Sequence, residues 1–326
     1  GVFAPVLLAT PEPDLFLGSL PPGVLTIESP RSERFHFGHY LRDLCAAEGF
    51  IRVLACGAGA GVLTTSMDLR LIAGPLQKEH PAVVANNLYS ADLVGVTPST
   101  VLRESEDLPA DDNGVGFYLW RNQKIPGYEP TRTAATQFDI DDPTDIAVAA
   151  LHPGIGLRLR DWIKGSRIDF GRLEEAARVF RDPQATAVFA GRMGSATWSF
   201  FERETACRAR VFSEERGMKS LGLEGQARSL VALHLAAVGP TTFMEHLAEV
   251  GDAVFIDTRV LIAHERSSAT REDRFLSDLG RWELISDEFL REFTRAATRA
   301  SVPVILGGHS LVAGGLMALV EAAWSA

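Results

Sequence analysis

Short apolar runs alternate with amphipathic segments along the first half of the chain. The apolar runs predict β-strands at 6–10, 24–27, 50–55, 82–85 and 93–96. Apolar residues recur at helical spacing from Phe37 to Leu44, and Gly49 follows as a helix stop, which predicts a helix over 35–48. The acidic, glycine-bearing segment 108–116 is predicted as a loop. Strands that alternate with helices predict a largely parallel sheet with helices on both faces.

The second half repeats this alternation. Strands are predicted at 186–190, 208–212, 254–263 and 302–306, and helices at 170–180, 195–205, 227–237, 242–250, 287–299 and 315–324. The Pro- and Gly-bearing turn at 152–156 interrupts the pattern, and we place a domain boundary there. We therefore expect an α/β protein with a Rossmann-like domain over 1–153 and a second α/β domain over 154–326.

Four acids are concentrated in the segment 138–145, at a predicted junction between a strand and a helix. Asp142 occupies the position of a helix N-cap, and Pro143 the first helical position. Asp145 occupies the third position, where a carboxylate accepts free backbone N–H groups. The sequence therefore predicts a structural role for Asp142 and Asp145.

Asp139 and Asp141 have no such role. If 138–141 is extended, both carboxylates lie on one face, which is costly unless a metal ion or a basic side chain lies between them. Asp92 follows the predicted strand 82–85, and ligands gather at the carboxyl ends of strands in open α/β sheets. The three acids are therefore candidate ligands of Mg²⁺. The structural alternatives are a turn role for Asp92 and a salt bridge between Asp139 and an arginine.

Residues 138–146, Phe-Asp-Ile-Asp-Asp-Pro-Thr-Asp-Ile, also carry a resemblance to a family. They resemble the Asp-Ile-Asp-Thr-Pro-Glu-Asp-Leu type of signature in nucleotidyltransferases of the molybdenum-cofactor guanylyltransferase, phospholactate guanylyltransferase and methylerythritol cytidylyltransferase kind. The resemblance covers roughly residues 5–152 and implies a GT-A-type, Rossmann-related sheet. It implies that a mid-chain acid, matched by Asp92, and a late group, Asp139 or Asp141, hold the metal on the nucleotide phosphates. The implied reaction transfers a nucleoside monophosphate from a nucleoside triphosphate to a small phosphorylated or acidic acceptor, with Mg²⁺ as cofactor.

The glycine-rich opening loop of that family has no counterpart here. The first predicted strand continues into Pro11-Glu12-Pro13-Asp14, where proline offers no N–H and the acids repel phosphate. Arg31 and Arg34 are the candidate phosphate-binding residues if the activity is retained. Two alternatives stay open: a non-catalytic binding or dimerising module on the same scaffold, and a sugar-nucleotide glycosyltransferase.

The segment 191–195, Gly-Arg-Met-Gly-Ser, lies between a predicted strand and a predicted helix. Free N–H groups and the helix dipole at such a junction favour an anion, so Arg192 and Ser195 are candidate substrate-binding residues. Asp257 and Arg259 interrupt an apolar predicted strand and are expected to be paired.

The segment 307–312, Gly-Gly-His-Ser-Leu-Val, resembles the nucleophile elbow of α/β-hydrolases only in part. Val312 stands where that motif requires glycine, and no histidine follows Ser310. Hydrolase chemistry is therefore disfavoured.

Composition narrows the function classes further. The net charge is -10, with 42 acids against 32 bases, which disfavours nucleic acid and anionic membrane as partners. The three cysteines are widely spaced and odd in number, which argues against a disulfide framework and favours a reducing cytoplasm. No apolar run or basic N-terminal region predicts a membrane span or a signal peptide. The expected partners are a nucleoside triphosphate and a small-molecule acceptor, with a homodimer as one candidate assembly.

Overall fold

The computed structural model describes residues 2–16, 18–31, 35–166, 168–218 and 222–325. Its strands are β1 Val6–Thr10, β2 Val24–Glu28, β3 Val53–Cys56, β4 Ala82–Ala85, β5 Leu93–Thr97, β6 Gly127–Tyr128, β7 Thr186–Gly191, β8 Arg208–Ser213, β9 Ala253–Asp257 and β10 Val304–Gly307. Its helices are α1 Phe37–Glu48, α2 Ser66–Leu76, α3 Thr100–Arg103, α4 Asp112–Phe117, α5 Ala134–Gln137, α6 Pro143–Leu151, α7 Leu157–Gly165, α8 Gly171–Arg178, α9 Ser195–Glu204, α10 Leu230–Val238, α11 Pro240–Val250, α12 Thr258–Glu265, α13 Arg271–Asp278, α14 Glu288–Arg299 and α15 Gly314–Ser325.

The chain divides into two compact units. The first comprises Gly1–Ala58 and Thr64–Thr131, and the second comprises Gly59–Leu63 and Arg132–Ala326. This division differs from the boundary predicted near residue 153. The acidic segment belongs to the second unit because Thr144, on α6, donates its hydroxyl to the carbonyl oxygen of Leu306 on β10 at 2.6 Å.

The first unit contains a mixed four-stranded sheet in the order β3-β5-β4-β6, together with a separate parallel pair, β1 and β2. β5 runs antiparallel to both β3 and β4, because the short connection 86–92 returns the chain directly beside β4. β4 and β5 are buried along their whole length. Leu41 and Cys45 of α1 belong to the same core cluster.

The second unit contains a parallel four-stranded sheet in the order β10-β9-β7-β8. One face of the sheet packs against a cluster that includes Phe180, Phe201 and most of α15. The other face packs against α10, α11 and α14, with Phe243 and Phe293 in its core. Apolar layers on both faces explain the continuous apolar sequence of β7 and β9. The predicted α/β, Rossmann-like fold class is confirmed, but the parallel four-stranded sheet lies in the second unit, whereas the four-stranded sheet in the predicted first domain is mixed.

Three predicted elements are wrong. The predicted strand before α6 is absent, because α5 ends at Gln137 and only Asp139 forms an isolated bridge, with Ala60. The predicted loop 108–116 contains α4, which begins at Asp112 because the carboxylate of Asp111 accepts the N–H of Gly114 at 2.7 Å. The predicted strand 254–263 ends at Asp257, whose carboxylate caps α12 by accepting the N–H of Arg259 at 3.2 Å. Arg259 therefore lies in the first turn of a helix and not in a strand.

Within the described part of the chain, no helix combines the length and the apolar character needed to cross a membrane. Cys45 and Cys207 are free thiols.

Candidate functional site

The carboxyl ends of β7, β8, β9 and β10 share one edge of the second unit's sheet, because all four strands are parallel. Along the chain β7 is followed by β8, which lies on one side of β7 in the sheet. The next strand, β9, lies on the other side of β7. This reversal creates a switch point between β7 and β9, where open α/β sheets bind ligands. We call the residues that gather there the carboxyl-end site: 191–195, 213–216, 257–259 and 307–310, together with 139–145.

A bidentate ion pair lies at the switch point. Nε and Nη2 of Arg192 donate to the two carboxylate oxygens of Asp257 at 2.6 and 3.1 Å. The Asp257 side chain is fully buried, whereas 32% of the Arg192 side chain is exposed. Burial alone would raise the pKa of Asp257, but the charge and hydrogen bonds of Arg192 outweigh it and hold that pKa below its usual value.

Gly191 makes this close approach of β7 and β9 feasible. A Cβ atom at residue 191 would lie 2.3 Å from Cβ of Asp257, and the backbone there has a φ of +143°. Any larger residue would therefore separate Asp257 from Arg192.

The N-terminus of α9 forms the positive end of the carboxyl-end site. Gly194 is its N-cap, and no side chain caps this end of the helix. The guanidinium atoms of Arg216 lie 3.1 to 3.4 Å from the place a Cβ atom of Gly194 would occupy. Ser195 is exposed in the first turn of the helix. The free N–H groups, the helix dipole and a guanidinium group therefore meet at one point, a combination suited to phosphate.

His309 lies directly after β10 and faces the same cluster of charges. Burial of the ring among protein atoms lowers the pKa of His309 to about 4, with the charge of Arg192 acting in the same direction and Asp257 opposing it. The residue as a whole is nevertheless exposed to solvent. At neutral pH it is an uncharged imidazole with one donor and one acceptor nitrogen.

The predicted capping roles of the acidic segment are confirmed. Asp142 caps α6 by accepting the N–H groups of Thr144 and Asp145 at 2.9 and 3.2 Å. The carboxylate of Asp145 in turn accepts the N–H groups of Asp141 and Asp142. Asp142 also accepts the N–H of Gly308 at 2.7 Å, which fixes the acidic segment at the end of β10.

Arg259 joins two buried carboxylates in the same region. Its guanidinium donates to Asp278 at 2.9 and 2.7 Å and to Asp142 at 3.1 Å. Burial raises the pKa of Asp278 to about 7, although its bonds with Arg259 oppose that shift. Burial raises the pKa of Asp142 as well, against the charge of Arg259.

Asp139 lies against Gly59 and Ala60 of the glycine-rich turn 57–61. It pairs with Ala60 in an antiparallel bridge, and a Cβ atom at Gly59 would lie 2.7 Å from Oδ1 of Asp139. Ser310 donates its hydroxyl to the backbone carbonyl of Asp139 at 3.1 Å. Asp139 is half-buried and Asp141 is exposed, so the two predicted ligands differ in their access to solvent.

Asp92 lies in the first unit, where two amides surround it. Its carboxylate oxygens accept the side-chain N–H groups of Asn86 at 3.1 Å and Asn113 at 3.0 Å. The carboxylate thereby stabilises the connection between β4 and β5, in agreement with a turn role. The predicted convergence of Asp92 with Asp139 and Asp141 stays a prediction.

Arg31 and Arg34 are the predicted phosphate-binding residues of the first domain, and the structure describes only Arg31. Nη2 of Arg31 donates to Glu12 at 3.0 Å, and its Nε donates to the carbonyl oxygen of Pro11. Both members of this ion pair are exposed, so the pair contributes little to stability. Arg34 lies outside the described residues.

The side chains near Asp139 and Asp141 determine which ligands a Mg²⁺ ion would have there. No group of three or more His, Cys, Asp or Glu residues in the described ranges is arranged to hold a metal ion. Asp139 and Asp141 can supply two carboxylates, and Mg²⁺ accepts one or two when phosphate oxygens and water complete its octahedral shell. The role of Asp139 and Asp141 as Mg²⁺ ligands therefore stays a prediction.

No family model, curated protein or solved structure matches this chain. The relation to nucleotidyltransferases indicated by residues 138–146 therefore stays a prediction. The α/β class rests on the topology of the sheets.

Proposed function

We propose that the protein binds a phosphorylated small molecule at the carboxyl-end site, with a phosphate group at the start of α9. The guanidinium of Arg216 beside the uncapped N-cap Gly194 is the observation that carries this proposal. Asp257 offsets the charge of Arg192, so Arg216 and the helix dipole provide the positive charge for the ligand.

The neighbouring groups have distinct roles in this proposal. Asp257 holds the Arg192 guanidinium in one orientation beside the ligand. The uncharged ring of His309 offers a hydrogen bond to a hydroxyl or phosphate oxygen without adding charge. Ser195 presents its backbone N–H and its hydroxyl in the first turn of α9.

A thermal-shift panel tests the ligand class. The panel contains inorganic phosphate, nucleoside mono- and triphosphates and sugar nucleotides, each with and without Mg²⁺. We expect stabilisation by at least one phosphate-bearing compound and at least tenfold weaker binding in Arg216→Met, because a charge-assisted hydrogen bond contributes about 1.5–3 kcal/mol.

Arg203→Met is the matched control, because Arg203 lies at the other end of α9 and pairs with Glu204 on the surface. Equal binding by the wild type and Arg216→Met, or no response to any phosphate compound, would contradict the proposal.

Nucleotidyl transfer is the second candidate function. It is favoured by the bond from Ser310 to the Asp139 carbonyl, since this bond holds the acidic segment at the same sheet edge. Asp139 and Asp141 would hold the Mg²⁺ ion, which neutralises charge on the phosphates when bound. Arg192 would meet a small phosphorylated or acidic acceptor, and pyrophosphate would leave.

Pyrophosphate release from each nucleoside triphosphate tests this candidate. We expect Mg²⁺-dependent release that Asp141→Asn reduces at least tenfold without loss of the folded state. Nucleotide binding without release in the presence of candidate acceptors would favour a non-catalytic module, whereas stabilisation by sugar nucleotides alone would favour glycosyl transfer.

The proposed compartment is a reducing cytoplasm. The free thiols of Cys45 and Cys207 support it, because disulfides form and persist in oxidising compartments.

A further inference from the structure

Two histidines meet on the helical hairpin formed by α10 and α11. Gly239 ends α10 and begins α11 with a φ of +79°, which returns the chain along its own path. Nε2 of His234 lies 3.1 Å from Nδ1 of His246, and the two rings are nearly parallel. Phe243 packs beside the His234 ring at a centroid distance of 5.8 Å. The two imidazoles are thus oriented toward each other by their own hairpin.

We propose that His234 and His246 form a site for a divalent transition-metal ion such as Zn²⁺. Two nitrogens bound to tetrahedral Zn²⁺ at about 2.0–2.1 Å lie roughly 3.3–3.4 Å apart. The ring nitrogens of this pair are already close to that separation. A small outward rotation of either ring admits the ion, and His234 has room for it because its side chain is exposed.

The donor set determines which ions the pair selects. Imidazole suits Zn²⁺, Cu²⁺ and Ni²⁺, whereas Mg²⁺ and Ca²⁺ prefer oxygen ligands. Across the described ranges, no third His, Cys, Asp or Glu joins a group that could hold a metal. Water therefore completes the coordination shell, and the ion links α10 to α11 across Gly239. This site is separate in residues and in metal preference from the Mg²⁺ ligands proposed at the acidic segment.

Calorimetric titration of the full chain with Zn²⁺ tests the proposal. We expect the wild type to bind one Zn²⁺ at this pair and to melt at a higher temperature in its presence, because an ion that binds the folded state stabilises it. His234→Ala and His246→Ala should each weaken this binding by at least about tenfold, the size of effect that even outer-shell partners of metal ligands produce. Mg²⁺ should produce neither heat nor a melting shift that depends on these histidines.

Two controls keep the result interpretable. His39→Ala removes a histidine from the stacked His36–His39 pair of the first unit and should leave the His234-dependent binding unchanged. Circular dichroism without metal should be the same for wild type and His234→Ala, since His234 is exposed. Zn²⁺ binding that persists in both hairpin variants, or a wild type that binds no Zn²⁺, would overturn the proposal.

Discussion

Asp257 is the residue on which the carboxyl-end site depends most. It is fully buried, and a buried carboxylate is tolerated only when its oxygens are paired. The Asp257 carboxylate pairs with the guanidinium of Arg192. It also accepts the N–H of Arg259 and thereby caps the start of α12. The same bonds that stabilise the charge therefore orient Arg192 at the switch point between β7 and β9.

Replacing Arg192 by methionine should lower the free energy of unfolding by about 2–3 kcal/mol, because Asp257 would keep a buried charge without its main partner. Urea denaturation monitored by fluorescence measures this change. Arg203→Met, which removes an exposed ion pair, should change stability by less than about 1 kcal/mol. Equal effects of the two substitutions would contradict the role given to Asp257.

Asp278 should make stability depend on pH. Its pKa is raised to about 7 in the fold, against about 3.9 for an unperturbed aspartate. Between these two pH values the folded protein holds a proton on Asp278 that the unfolded chain does not. The contribution of Asp278 to the free energy of unfolding is therefore fully present below about pH 4 and is lost as pH rises through about 7.

Unfolding free energies of the wild type and Asp278→Asn, measured from pH 4 to pH 8, isolate this contribution. Relative to the variant, the wild type should lose stability as pH rises to about 7, by at most about 1.4 kcal/mol per pH unit, and should then level off. A pH-independent difference between the two proteins would show that Asp278 titrates normally.

Elements with local chemical signals could be predicted from the sequence. The cap of α6 follows from the order Asp142, Pro143 and Asp145, and the end of α1 follows from Gly49 in the left-handed conformation. The sequence predicts one strand over 254–263 where the structure has the end of β9 and the start of α12, because a short apolar run does not distinguish a strand from a buried helix. Asp257 is the N-cap of α12, so the strand ends there and the helix begins at Thr258.

The composition of the carboxyl-end site could be predicted only in part. The sequence predicts Arg192 and Ser195, because they lie in one glycine-containing junction between a strand and a helix. The sequence does not indicate Arg216 or His309 as ligand-binding residues, because the strands that precede them, β8 and β10, are far apart in the sequence and share one sheet edge only in the fold. No local pattern carries that information.

The contact between the glycine-rich turn and the acidic segment gives a prediction at the scale of elements. A Cβ atom at Gly59 would lie 2.4 Å from the carbonyl oxygen of Ile140, so Gly59→Ala should force the two segments apart. We expect a loss of about 1–3 kcal/mol in unfolding free energy. Gly57→Ala is the control, because its nearest contact would be at 4.0 Å. Unfolding in urea should therefore separate the two variants, and similar midpoints would contradict the packing described.

At the scale of the molecule, the second unit begins well before the predicted boundary. Residues 132–153 supply α6 and Asp142, which bonds to Arg259 and Gly308. A fragment of residues 132–326, which lacks only Gly59–Leu63 of the second unit, should therefore unfold cooperatively in urea. The fragment 154–326 should not, because Arg259 loses one of its carboxylates and the core loses α6. Cooperative unfolding of the shorter fragment would place the boundary where the sequence predicted it.

The molecule carries a net charge of -10, so a phosphorylated ligand has to be attracted at short range by local cations. The start of α9 and Arg216 provide that attraction in our proposal. Gly194→Val tests the geometry directly, because its side chain would displace the Arg216 guanidinium while leaving the net charge unchanged. In calorimetric titration with tripolyphosphate, we predict at least tenfold weaker binding by Gly194→Val than by the wild type. Equal affinities of two folded proteins would contradict the proposed phosphate site.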